Sequence, residues 1–256
     1  EWIESHGLHL YLLHAPDFLG VANAVELAAL DRVAVERGLA LKKAGNRIVS
    51  VLGGRPIHPV SVRVGGFYKV PTKHELQLLR PELAAALRHA IKTVDWVATF
   101  EAPNFTREER FVSLRHPTEY PMSDGRIVSS DGLDLAPTDW EVAFQEEQVP
   151  WSHALQAHMD DRVPYLLGPA ARITLAKDQL HPEARAALDR VGLADEIRRN
   201  PNWSIAARAV ELVHAVAEAI DIVDAYVALD RAAEPWTPGP GTVFWATEVP
   251  CGLLFH

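Results

Sequence analysis

Two side chains with chemistry to offer, Arg55 and His58, sit in the run Gly53-Gly54-Arg55-Pro56-Ile57-His58-Pro59-Val60-Ser61-Val62-Arg63-Val64-Gly65-Gly66-Phe67-Tyr68. A residue that precedes proline is held extended, so this loop presents one permanently charged guanidinium fork and one titratable imidazole in a restrained way. The glycine pairs on either side tolerate positive φ and a close neighbour, which means that something must approach this backbone. A second candidate is the pair His6 and His9, spaced i, i+3 on a helix, as two ligands to one metal ion would be. No HExxH, CxxC or carboxylate-plus-two-histidine set accompanies them, which favours packing and hydrogen-bonding roles. His116, His153, His158, His181 and His214 read as surface or interface histidines. With no GxSxG, P-loop or GxGxxG, nothing points to a nucleophile elbow or a nucleotide cradle. Gly168-Pro169-Ala170-Ala171-Arg172 and Asn200-Pro201-Asn202-Trp203-Ser204-Ile205-Ala206-Ala207-Arg208 each set an arginine behind a turn. Taken singly they are helix-capping turns with salt-bridging arginines, and Arg208 has Glu211 three residues on.

The elements that must position these groups are mostly helical. Trp2 to Leu13 carries apolar residues around His6 and His9, Pro16 interrupts it, and Asp17 can cap a second helix toward Arg37. Gly38 and Gly45-Asn46 punctuate the next stretch on its way to the glycine loop. Thr72-Lys73-His74-Glu75 has capping-box spacing and opens a helical region reaching about Val97. Phe100 to Leu135 changes texture: short apolar runs between Pro117, Pro121, Asp124-Gly125 and Asp131-Gly132 predict a small antiparallel insert. Helical patterning returns over Asp139 to Glu147 and Pro182 to Val191, the latter with Gly192 as C-cap. Ser204 to Tyr226 has the clearest stripe, Ile205, Ala209, Leu212, Val213, Val216, Ile220 and Val223, long enough for a bundle core. Residues 100–135 aside, the expected class is mainly α (α+β), a long-helix bundle.

Bulk properties narrow the function classes. The 256 residues are 48% apolar, enough for one large core, and predict one compact unit spanning 1–256. A formal charge of -9 with no basic cluster argues against a nucleic-acid partner. No apolar run approaches the ~20 residues that span a bilayer, and no signal-peptide layout opens the chain. Cys251 is the single cysteine, so no intrachain disulfide forms and nothing suggests an oxidising compartment. Glu1 opens inside a helix and Cys251 to His256 is an uncapped apolar strand, so the sequence reads as a piece of a longer protein.

The motifs also have an order. Ser5-His6-Gly7-Leu8-His9 leads to Ala15-Pro16-Asp17-Phe18, then the glycine loop, Tyr120-Pro121-Met122, Ile127-Val128-Ser129-Ser130-Asp131-Gly132, Ser152-His153-Ala154-Leu155, the Gly168 and Asn200 turns, and Glu248-Val249-Pro250-Cys251-Gly252-Leu253-Leu254-Phe255-His256. In that order the whole chain resembles the central part of the large subunit of a NiFe hydrogenase, of the cytoplasmic type coupled to nicotinamide or deazaflavin carriers.

The resemblance implies an activity and its parts. Such a parent reversibly oxidises dihydrogen at a Ni–Fe centre held by four cysteinates in two CxxC-type motifs, neither of which is in this chain. The metal ligands would thus lie outside it, and the fragment alone is expected to be inactive and free of specific nickel. The family's Pro-Arg-Gly wall falls on Pro250, Cys251 and Gly252. There the arginine hangs over the open metal position and helps to polarise or deprotonate dihydrogen; a thiol offers one weak donor and no such charge. Ser5 takes the place of an aspartate found beside that arginine in many relatives, and His6 adjoins it on the same wall. His58, with Arg55 beside it, falls where the family faces the iron–sulfur small subunit near its proximal cluster. The implied partners are that small subunit together with a diaphorase module. A second reading is a non-catalytic scaffold comparable to the related core subunit of respiratory complex I.

Overall fold

In the computed structural model, which describes residues 1–256, the chain opens with α1 (Trp2–Leu8), passes through a π-helical turn (His9–His14) into α2 (Ala15–Phe18), and continues as α3 (Ala24–Leu30) and α4 (Arg32–Gly53). A small hairpin, β1 (Val62–Arg63) and β2 (Gly66–Phe67), precedes α5 (Lys73–Gln77) and α6 (Arg80–Val97). Next come β3 (Arg110–Arg115), β4 (Arg126–Ser129), β5 (Asp134–Leu135), α7 (Trp140–Ala143), β6 (Phe144–Glu147), β7 (Gln156–Met159), β8 (Tyr165–Leu166) and α8 (Pro169–Ala176). Then α9 (Pro182–Val191), α10 (Ala194–Arg199) and α11 (Ser204–Ala225) lead to a closing hairpin of β9 (Ala246–Val249) and β10 (Gly252–Phe255). The architecture is mainly helical, and no helix is long and apolar enough to cross a membrane.

The backbone gathers into two compact units. The first holds Glu1–Pro103, His181–Leu193 and Ile205–Pro240; the second holds Asn104–Leu180, Ala194–Ser204 and Gly241–His256. The physical reason is a separate core: Val112, Leu114, Ile127, Phe144, Met159 and Ala246 pack together around the strands.

In the first unit the stripe read from α11 is inside, with Ile205, Ala209, Leu212, Val213, Val216, Ile220 and Val223 all buried. Thr72 and Glu75 make the reciprocal capping box, Glu75 N–H donating to Thr72 Oγ1 at 3.2 Å and Thr72 N–H to the Glu75 carboxylate at 2.7 Å. Gly192 ends α9 at φ 69°. Pro16 does not break the chain's helical path, because it lies in the first turn of α2, where no N–H is needed. The breaks come at Gly20 and Asp31, and the caps are Asn23 and Asp31, which accept from Val25 and Ala34 N–H at 2.9 Å. Gly38 and Gly45 are not punctuation but lie inside α4. A Cβ on Gly38 would stand 2.4 Å from Tyr11 Cγ, and one on Gly45 2.6 Å from Glu4 N, so these glycines let α4 lie directly on the opening helices.

The second unit carries a sheet in the order β5-β4-β3-β8, with antiparallel β3–β4 and β4–β5 and a parallel β3–β8 pair. The unit's strands reach beyond 100–135, since β8 and two separate two-stranded hairpins, β6–β7 and β9–β10, also lie in it. The helix expected over Asp139 to Glu147 is a single turn before β6. Phe144 is drawn into the strand core and stacks on Trp140 with centroids 4.2 Å apart, which extends the backbone from that residue on.

Candidate functional site

The Pro250–Cys251 pair is the two-residue tip of the β9–β10 hairpin, flanked by the paired Val249 and Gly252. Beneath it lies the Gly168 turn. Gly168 adopts φ 81°, and a Cβ there would fall 2.6 Å from the Cys251 carbonyl oxygen, so only glycine lets the tip rest on this turn. One turn into α8, Arg172 is completely buried. Its Nη1 donates to Glu248 Oε2 at 2.7 Å and to the Val249 carbonyl at 3.0 Å, and its Nη2 to the Pro250 carbonyl at 3.2 Å. Glu248 is buried as well. Its Oε1 accepts from Leu114 N–H at 2.8 Å, and its own N–H donates to the Met122 carbonyl at 2.8 Å. Three motifs separate in sequence thus meet: Tyr120-Pro121-Met122, the Gly168 turn and the Glu248 run. A buried charge pair holds only when its remaining donors and acceptors are engaged, and here they are met largely by backbone. Cys251 is exposed, a free thiol at the tip.

Ser5 and His6 belong to the first unit, on α1. His6 is fully buried and its Nε2 lies 2.8 Å from Oε2 of the equally buried Glu211 on α11, while Trp2 meets the imidazole edge-on at 5.7 Å. His9, in the π-helical turn, faces His14 at 5.3 Å rather than sharing a point with His6, and His14 rests against Phe18 at 5.3 Å. Burial first, then the Arg208 charge and the neighbouring His14 and His6, pulls the His9 pKa down to about 4; burial and Arg208 lower His14 too. Both rings are therefore neutral near pH 7. His214, expected at a surface or interface, is buried in the core: its Nδ1 accepts from His181 N–H at 2.9 Å, and burial lowers its pKa to about 4 despite the nearby Glu211.

Arg55 and His58 come together in the exposed loop after α4, where Arg55 Nε donates to the His58 carbonyl; His58 is not extended before Pro59 but takes φ 53°, in the left-handed region. What approaches the glycine backbone is the chain itself. A Cβ on Gly65 or Gly66 would lie 2.6 Å from the carbonyl oxygens of Glu234 and Ala232, and Phe67 N–H donates to Ala232 while Glu234 N–H donates to Gly65, both at 2.9 Å. The 232–234 segment thus adds a short edge to the β1–β2 hairpin.

These residues can be tested against a thiolate-held bimetallic centre. Soft thiolates select such metals, and four are needed; the chain has one, exposed at a hairpin tip. No three histidine, cysteine, aspartate or glutamate side chains converge on a point. The side chains present do not make a ligand set for the centre.

Fold and motif order together define a hydrogenase large-subunit architecture. The chain superposes over its full length on a chain of NAD+-reducing NiFe hydrogenase in the H2-reduced state, with TM-score 0.85, 21% identity and 62% of that chain covered. On the NiFeSe hydrogenase of Dm. baculatum the TM-score is 0.73 at 15% identity, with 66% of that chain covered. No protein-family profile matches the sequence. Its homologues are nonetheless hydrogenase large subunits. The alpha chain of sulfhydrogenase 1 from Pyrococcus furiosus is 29% identical over 271 residues, covering 100% of this chain and 60% of the relative. The corresponding chain of an F420-non-reducing hydrogenase from Methanothermobacter marburgensis is 37% identical over 288 residues, covering 100% and 59%. The chain thus spans about 60% of the length of the curated relatives it matches.

Residue-by-residue reading missed the partners that hold these sites. Glu248 was legible only as part of a motif, although its position two residues after the inward Ala246 on a strand puts a carboxylate on the buried face. Glu211, read as a local partner of Arg208, lies 2.8 Å from His6; a carboxylate interrupting the apolar run of α11 signals such a buried partner.

Proposed function

We propose that these 256 residues form the central part of a hydrogenase large subunit whose complete protein reversibly oxidises dihydrogen to protons and electrons. One observation carries the reading: the entire chain aligns with large subunits of hydrogenases, including a 37% identical relative. In it, Ser5, His6, Pro250 and Cys251 serve the reaction of the complete protein, and Arg55 with His58 faces an iron–sulfur small subunit that takes the electrons onward to a soluble carrier, with a diaphorase module as a further partner. The Ni–Fe centre belongs to the complete protein, on cysteines outside these residues. The assembly works in the cytoplasm, without nucleic acid or membrane as partner. The 256-residue chain by itself is inactive. Purified chain incubated anaerobically with nickel and iron should bind neither stoichiometrically and take up no dihydrogen; stoichiometric nickel together with uptake contradicts the assignment of ligands to other segments. The flanking coding sequence should contain a CxxC-type pair on each side.

Cys251 favours a second reading. Where the family places an arginine, one thiol removes a fixed donor fork and a permanent charge, as expected in a scaffold that has lost its chemistry and resembles the complex I core subunit. Flanking sequence without cysteine pairs supports that alternative.

A further inference from the structure

We propose that Arg172 is a positioning residue: with Glu248 it locks the Pro250–Cys251 tip so that the side chain at position 251 leaves the hairpin in a single direction. That the tip walls a reaction cavity rests on the proposed function; the lock itself does not.

Three features carry the inference. Arg172 spends its fork on the tip, reaching the carbonyls of Val249 and Pro250 and the Glu248 carboxylate at 3.0, 3.2 and 2.7 Å. These contacts fix consecutive peptide planes leading to Cys251, and rotating either plane would strand a guanidinium donor in a fully buried place. Glu248 in turn is tied to β3 through Leu114 N–H at 2.8 Å, and the Cys251 carbonyl packs on Gly168, so the tip is held from below at both ends. A lysine has one point charge and cannot replace a fork that spans three acceptors. Stability alone does not require such a group, because a buried ion pair is often replaceable by neutral residues without loss; geometric definition of the turn is what the pair adds.

The single cysteine makes the test direct. A nitroxide attached to Cys251 in the otherwise unmodified chain reports the order of the tip by its electron paramagnetic resonance line shape. The expected spectrum is one slow, immobilised component. Arg172→Lys, and the neutral pair Arg172→Met with Glu248→Gln, should lose that component for a fast one. The second variant retains an acceptor for Leu114 N–H and leaves no buried charge unpaired, so its circular dichroism and denaturant midpoint should stay near those of the parent chain. An immobilised label in the folded double variant overturns the proposal, as does a fast label in the unmodified chain. A failed hydrogenase reading would leave these spectra as expected, so the two ideas fail separately.

Discussion

His6 Nε2 and Glu211 Oε2 stand 2.8 Å apart across 205 positions of sequence, both side chains fully buried. The contact ties the opening helix to α11, and it places a carboxylate where solvent cannot stabilise it. Removing one member takes away the other's 2.8 Å partner inside the core, and breaking a buried charged pair typically costs about 3–5 kcal/mol. His6→Ala should therefore destabilise the first unit by about that amount, and His6→Ala with Glu211→Leu by less. Urea unfolding of His6→Ala, Glu211→Leu and the double variant checks the order; a double variant that loses as much as the sum of the single ones would show that the pair is uncoupled.

Acid should weaken the fold through His214. Its pKa is lowered to about 4 from an ordinary 6.5 by burial, against the opposing charge of Glu211, and its Nδ1 accepts from His181 N–H. Between those values the unfolded chain binds the proton and the folded chain does not, so stability is fully present above pH 6.5 and falls as pH drops toward 4. The loss is on the order of 3 kcal/mol for this group. His9 and His14, lowered in the same sense, steepen the slope. Denaturant midpoints measured from neutral pH down toward the folded-state pKa should fall less steeply in His214→Gln than in the parent; parallel slopes would remove His214 from the explanation.

Gly38 should not tolerate a methyl group. The added carbon would sit 2.4 Å from Tyr11 Cγ, and Tyr11 cannot retreat, being fully buried, stacked on Trp96 at 4.9 Å and bonded to Thr93 Oγ1 at 2.6 Å. Overpacking of this kind costs about 1–3 kcal/mol, so Gly38→Ala should lower the thermal midpoint visibly. Gly239→Ala, with open space around it, should stay within about 0.5 kcal/mol. Equal midpoints for the two would mean that the π-helical turn and α4 are not in direct apposition.

On the proposed function, an arginine at the hairpin tip should raise the rate of the complete protein. One preorganised donor in a dry site is commonly worth ~10²–10³ in rate, and Cys251→Arg adds a donor fork and a charge. The assay is dihydrogen-dependent dye reduction by the complete large subunit with its small subunit, compared with the Cys251 parent. No gain, with metal content unchanged, would take position 251 out of the reaction cavity.

Features settled by neighbours in sequence were the legible ones. The Thr72–Glu75 box, the Gly192 cap and the α11 stripe depend on residues within a few positions, so their spacing carries the information. The misread ones depend on distant partners. Gly38 and Gly45 look like turn residues until Tyr11 and the Glu4 backbone are placed beside them. Phe144 belongs to a helical pattern until the strand core claims it. The glycine loop did predict a close neighbour, yet only the fold shows that residues 232–234 of the same chain fill that role. The candidate site divides likewise: Arg172 and Glu248 were each visible within a motif, while their pairing across 76 positions was not.

The central claim is that this chain is the middle of a dihydrogen-oxidising large subunit. It is tested most directly by purifying the complete protein with the proposed iron–sulfur partner, measuring nickel, and following dihydrogen-dependent reduction of a viologen dye beside the 256-residue chain alone. The account predicts nickel and dye reduction in the complete assembly and neither in the isolated chain. A correctly folded complete assembly without nickel or dihydrogen uptake, or an isolated chain that shows both, contradicts it.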